Sequence, residues 1–163
     1  MIETVLAVLF VTFVFLVLFQ LSHLVTGKIL LDHAAARAAR ARAVGFNEFM
    51  CLKSARVAMI SVAGERTWPA GELSRSEEVA RVPIYMQTGH EGLARGVLEY
   101  ERWKDMKVRV KSGAGLSPIV ESSVSIEMPR FFEWGAHPER GVRVIGENEI
   151  ESHFPLYMED QGR

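Results

Sequence analysis

From Thr4 to Gly27 the chain runs 24 residues without a formal charge, and this stretch limits what the rest can be. Between Val5 and Phe19 only Ala7 and Thr12 are not Val, Leu or Phe. Each of the other side chains favours insertion by roughly 0.3–0.6 kcal/mol at a bilayer centre, about 4–8 kcal/mol together. As a helix the stretch reaches about 36 Å, enough to cross a hydrocarbon core of about 30 Å with some tilt. Its many Val and Phe residues would suit a buried strand, but the run is too long for one. A lone segment in lipid must also satisfy its own backbone, so it is predicted to be helical. Thr4, Val5, Leu6, Phe10, Phe13, Phe15, Leu18 and Phe19 are the residues expected in the hydrocarbon.

The remaining length allows one small domain. A net charge of −1 hides an asymmetry. Residues 1–60 carry six basic and three acidic side chains, residues 61–163 carry 13 basic and 17 acidic. Neither part has the basic footprint or the basic–aromatic interleaving of a nucleic-acid binder. The single cysteine, Cys51, excludes an intrachain disulfide framework and is expected as a small buried hydrophobe on a helix. No Lys or Arg precedes Lys28, and the apolar run exceeds the core of a secretory signal peptide. Ala34-Ala35-Ala36 lies too far beyond it for a cleavage site, so an uncleaved anchor is expected.

Glu3 opens the apolar run. One reading is an interfacial residue reaching the headgroups; the other is a charge pair, since ionisable groups at membrane depth usually have partners. Beyond Gly27 the helical signal continues. Asp32–Val44 is dominated by alanine interleaved with Arg37, Arg40 and Arg42, all strong helix formers. Lys28 and Asp32 stand at the spacing of an i,i+4 ion pair. A helix of about 40–55 residues follows, with Gly45 as a break and Phe46–Ile60 resuming. His23 and His33 are ordinary helix-surface residues, with no second ligand at i+4.

Gly64–Ser76, with Trp68-Pro69, reads as a loop. A short strand is expected at Arg81–Met86 and an amphipathic helix at Glu91–Lys104. Met106, Val108 and Val110 alternate with Lys107, Arg109 and Lys111, as in a half-buried strand. Ser112–Gly115 is a turn, and Val120, Val124, Ile126 and Met128 share one face of the next strand, making a hairpin. Pro129–Gly141, with Phe131, Phe132 and Trp134, reads as a loop, Gly141–Gly146 as a short strand, and the end as an acidic tail. The fold class is α+β: a long N-terminal transmembrane helix over residues 1–60, then a small soluble domain with an antiparallel sheet over residues 61–163.

Catalytic patterns are missing. The histidines form neither HExxH nor a Cys/His metal cluster, and Gly89–Gly92 and Gly113–Gly115 match no phosphate loop. No GxSxG elbow occurs. Glu147, Glu149, Glu151, Glu159 and Asp160 lack the EF-hand pattern and read as a solvated face. The aromatic cluster in 129–141 reads as packing rather than a ligand box. No enzyme activity, metal or cofactor is expected.

The first 50 residues resemble type IV pilins and pseudopilins, and more closely the TadE-like minor pilins of the tight-adherence pilus and secretion machinery. Ile2-Glu3-Thr4-Val5-Leu6-Ala7 stands for their opening, and Leu31-Asp32-His33-Ala34-Ala35-Ala36-Arg37-Ala38-Ala39-Arg40 for the Ala/Arg-rich continuation. Thr4 stands where an aromatic residue is usual, and the mid-helix proline of many relatives is missing. The family's Glu is the fifth mature residue after a basic leader ending in Gly. With Glu3 third here, Met1 is expected to be internal to a longer precursor.

The resemblance implies a structural subunit whose Glu3 pairs with the N-terminal amine of a neighbour. Its partners would be other pilin subunits through the N-terminal helix, membrane lipid, and a prepilin peptidase. It also implies a bacterial inner-membrane location, or an extracellular pilus, with the C-terminal domain extracytoplasmic. Lys28, Arg37, Arg40 and Arg42 all follow the span, which by charge alone would place the domain in the cytoplasm. Two alternatives stand beside this reading: a single-pass protein with a small extracytoplasmic binding domain, and a membrane-tethered enzyme with an unrecognised site.

Overall fold

The structure is a computed structural model and describes residues 2–112, 119–128 and 141–151. One helix, α1, runs unbroken from Ile2 to Ala43. Gly27 does not interrupt it and is buried on the face of α1 turned to the sheet, beside the flexible end of Met128. A Cβ built there comes 2.6 Å from Met128 Cε. The helix stops at a Schellman turn. Gly45 takes φ 94°, its N–H donates to the Arg42 carbonyl at 2.9 Å, and the Phe46 N–H donates to the Ala41 carbonyl at 3.0 Å. Only glycine takes that left-handed backbone at little cost.

After the turn, α2 (Glu48–Ala58) folds back along α1, opened by Asn47, whose side chain accepts the Met50 N–H at 2.9 Å. Cys51 is fully buried on this helix, as the sequence suggested. A 3-10 turn (Ile60–Val62) leads to β1 (Arg66–Trp68), a short strand inside the segment read as loop. There follow α3 (Arg75–Gln87), α4 (Glu91–Arg95), β2 (Glu99–Tyr100) and a second 3-10 turn (Glu101–Trp103). The chain finishes with β3 (Lys107–Ser112), β4 (Ile119–Met128) and β5 (Val142–Glu151).

Several sequence expectations fail, the first being the helix over residues 1–60, which ends at Ala43 and gives way to α2. Arg81–Met86 is not a strand but the second half of α3. Ser74 caps this helix in a capping box: its hydroxyl accepts the Glu77 N–H, and the Glu77 carboxylate accepts the Ser74 N–H. Pro83 has no N–H to offer the Val79 carbonyl, but both residues face solvent, where the lost helix bond costs least. The helix expected over Glu91–Lys104 ends at Arg95 with Gly96 as its cap, because Glu99 and Tyr100 pair with β1 instead. The strand expected at Gly141–Gly146 starts at Val142 and runs on to Glu151. The readings made for Gly113–Gly115, for residues 129–140 and for the tail from residue 152 lie outside the described residues.

The main sheet is an antiparallel meander in the order β3-β4-β5. Val108 stands opposite Val124, and Val124 opposite Gly146. The inner face carries Val120, Ser122, Val124, Ile126 and Met128, all buried against the second half of α1. From that half Gly27, Leu31, Ala34, Ala35, Ala38 and Ala39 point inward at helical spacing. The small side chains bring helix and sheet backbones close. A Cβ on Gly146 would fall on the Leu31 carbonyl group, and the Ser122 hydroxyl donates to the Ala35 carbonyl at 2.6 Å.

Candidate functional site

The first half of α1 leaves the domain bare. Leu6, Phe10 and Phe15 are 67, 65 and 67% exposed, and Val5, Phe13, Leu18 and Phe19 are exposed with them. Thr4 is exposed on the same stretch, and its polar neighbour Thr12 returns its hydroxyl to the Val8 carbonyl at 2.8 Å, hiding a polar group along the helix. Among the described residues α1 is the one helix long and apolar enough to cross a membrane. All eight residues expected in the hydrocarbon stand on this bare half. An exposed apolar surface of this size is untenable in water.

Glu3 sits in the first turn of α1, exposed. A carboxylate there is favoured by the unpaired N–H groups and the positive end of the helix dipole. Twenty-four residues of helix, about 36 Å, separate it from the first buried position, Gly27. Among the described residues the structure therefore brings Glu3 together with none of the domain's side chains.

The junction between the bare and the buried half is built from both ends of the chain. Lys28 donates to Asp32 at 2.8 Å and also to the Ile145 carbonyl at 2.8 Å. Asp32 accepts the Glu147 N–H at 3.2 Å. The ion pair expected from the sequence thus also binds one acceptor and one donor on the outer edge of β5, on either side of Gly146. Beside it, Met128 and Val142 bring one end of the sheet to Gly27. At the far end, Arg42 donates to the Ser112 hydroxyl at 3.1 Å.

On the other side of the domain lies a polar and aromatic cluster. Lys53 is fully buried, and its ammonium donates to the Met86 and Thr88 carbonyls at 2.7 and 2.6 Å, closing the C-terminus of α3. Burial lowers its pKa. Arg56 lies 3.5 Å from Glu91 and over the Trp103 ring. Trp103 packs against Tyr85 and Tyr100, and the Tyr100 hydroxyl bonds to Glu78. Burial raises the phenol of Tyr85, while the Arg56 guanidinium opposes it; burial and the Glu78 carboxylate raise that of Tyr100. Sequence reasoning missed this cluster, since nothing in the pattern of α2 sets Lys53 and Arg56 apart from surface cations.

The outer face of the sheet is polar. An open groove of about 550 Å³ runs over it, lined among others by Arg109, Lys111, Glu121, Glu147 and Glu149. Among the described residues no group of three His, Cys, Asp or Glu side chains is placed to hold a metal ion. The bare half of α1 is the described surface long and apolar enough for a membrane. Comparison with protein-family models, with curated proteins and with solved structures finds no match.

Proposed function

We propose that this chain is a TadE-like minor pilin or pseudopilin. In this reading it is a structural subunit held in the bacterial inner membrane by the first half of α1, with its domain outside the cytoplasm. It takes part in assembly of a tight-adherence or related pilus or secretion machine, with Glu3 meeting the N-terminal amine of a neighbouring subunit. One observation carries the reading. A single rigid helix is bare and apolar for its first half, opens on one carboxylate, and serves as the spine of a small antiparallel sheet for its second half. Such a build lets helices pack side by side in an apolar bundle while the domains stay in water. Its mechanism is association rather than catalysis.

A simple anchor needs no continuity between the span and the domain; a flexible linker would serve as well. Here α1 gives the domain a fixed attitude to the span, which matters when many copies must stack. The reading is tested in two steps. A C-terminal alkaline phosphatase fusion is expected to be active and a cytoplasmic reporter inactive; the reverse would overturn the orientation. Fractionation of the encoding organism is then expected to place the chain in the membrane and in sheared fibres or a multi-subunit envelope complex. A chain found only as a free membrane monomer would overturn the assembly role.

A further inference from the structure

Across the outer face of the main sheet the charges are sorted by strand. β3 presents Lys107, Arg109 and Lys111, β5 presents Glu147, Glu149 and Glu151, and all six are exposed. Between them β4 presents Glu121, Ser123 and Ser125. The register sets Arg109 opposite Ser123 and Ser123 opposite Glu147; Lys111 stands opposite Glu121, and Glu121 opposite Glu149. With strands about 4.8 Å apart, the basic and acidic columns are about 10 Å from one another. Among the described residues none of the six joins an ion pair; only Arg143 and Glu127, beyond the basic column, are paired on this face. The sheet thus has a positive and a negative flank.

The fold fixes how these flanks lie. β4 runs from Ser122, bonded at Ala35, to Met128, against Gly27. It therefore descends towards the bare half of α1, and the direction from β3 to β5 crosses that descent. If α1 anchors every copy with the same end in the membrane, which is the part of the proposed function used here, the copies stand upright with parallel domains. A two-fold pairing through either flank then sets like charges together and is repelled, whereas β3 of one copy against β5 of the next brings opposite columns together. That contact is heterologous and leaves a free flank of each sign at the ends, so it can repeat.

We propose that the flanks of this sheet join copies of this chain side by side, the Lys107/Arg109/Lys111 column of one meeting the Glu147/Glu149/Glu151 column of the next. A lone exposed ion pair contributes little, but charges of one sign clustered along each flank, with Arg109 level with Glu147 and Lys111 level with Glu149, act together and fix the direction of association. The contact is screened by salt, since the Debye length falls from about 10 Å at 0.1 M to about 3 Å at 1 M.

The test uses the full chain, unlabelled and ¹⁵N-labelled in equal amounts, reconstituted together in phosphatidylcholine vesicles. A zero-length carbodiimide then joins amines to carboxylates in contact. Light–heavy peptides linking Lys107 or Lys111 to Glu147, Glu149 or Glu151 are expected, falling about fivefold or more between 0.05 and 1 M salt. Reversing one charge of one column (R109E, or E147K), which leaves Lys107, Lys111 and at least two β5 carboxylates free to react, is expected to lower links between the flanks several-fold. Reversing both charges in one chain is expected to restore them, which a misfolded sheet would not do. A flank that only solvates the domain, or that serves a different subunit, gives no light–heavy links at these positions and overturns the proposal. So do links undiminished by a single reversal, or a double reversal that fails to recover them. A chain that does not float with the vesicles overturns the anchor as well. A chain that floats without linking overturns the interface alone.

Discussion

Two glycines show how closely single residues govern this fold. A methyl group at Gly146 would fall on the Leu31 carbonyl, backbone against backbone, where no flexible side chain can yield. Gly146→Ala is therefore expected to destabilise the domain by at least ~1–3 kcal/mol, a fall of several degrees in Tm. Gly92, inside α4, has nothing within 4 Å of a built Cβ. Gly92→Ala is expected to raise stability by ~0.5–1 kcal/mol. Thermal unfolding of the two variants in the same detergent checks both signs. Tyr85 and Tyr100 set a pH limit. Their phenols are held above the ordinary 10.0, so the folded chain keeps protons that the unfolded chain releases there. Their contribution is complete below about pH 10 and is lost as pH rises through the folded values. Replacing both by Phe is expected to flatten the loss of stability between pH 9 and 11, read from urea midpoints. Tyr85→Phe alone, at neutral pH, is expected to change stability by ~1 kcal/mol or less, because among the described residues the buried hydroxyl feels the Arg56 guanidinium but makes no well-formed hydrogen bond.

At the scale of elements, α1 and the sheet meet through small residues and one latch. The Lys28–Asp32 pair is half exposed and adds little as a charge pair. Its larger effect is to occupy the edge of β5. Asp32→Ala is expected to speed hydrogen exchange at the Glu147 amide about tenfold, equivalent to ~1.4 kcal/mol of local protection, and to leave the β5 amides directed at β4 unchanged. Equal exchange at Glu147 in both proteins would show that the latch protects nothing.

Much of this was legible in the sequence. The unbroken run of strong helix formers beyond Gly27 announced a helix longer than the span. The alternation along Ile119–Met128 gave the buried face of β4. Other elements were not legible, for physical reasons. Val82, Ile84 and Met86 alternate as in a strand, which is why a strand was expected there despite Pro83, yet the Ser74–Glu77 capping box was a visible helix start signal. Glu99 and Tyr100 leave their helix because β1 offers a pairing partner over thirty residues away. The close approach at Gly146 has no local signature, because it depends on a helix more than a hundred residues earlier in the chain.

Taken whole, the molecule is one helix with two environments. Its first half presents apolar side chains to its surroundings, its second half is the spine of a sheet, and no flexible joint separates them. The proposed role follows from that rigidity together with a single carboxylate at the exposed end, and Glu3 is where it is tested most directly. Glu3→Ala leaves the 13 Val, Leu and Phe side chains of Val5–Phe19 intact, so membrane content is expected to equal that of wild type. The domain begins about 36 Å away and is expected to fold unchanged. Assembly is expected to fail, since removing one member of a poorly solvated charge pair costs ~3–5 kcal/mol, more than a hundredfold in association. Glu3→Gln keeps a hydrogen bond but loses the charge and is expected to be intermediate or equally poor. The measurement is the ratio of fibre- or complex-associated chain to membrane chain for wild type and both variants. The account predicts a ratio lowered at least a hundredfold for Glu3→Ala at equal membrane content. An unchanged ratio would contradict it and leave Glu3 an interfacial residue.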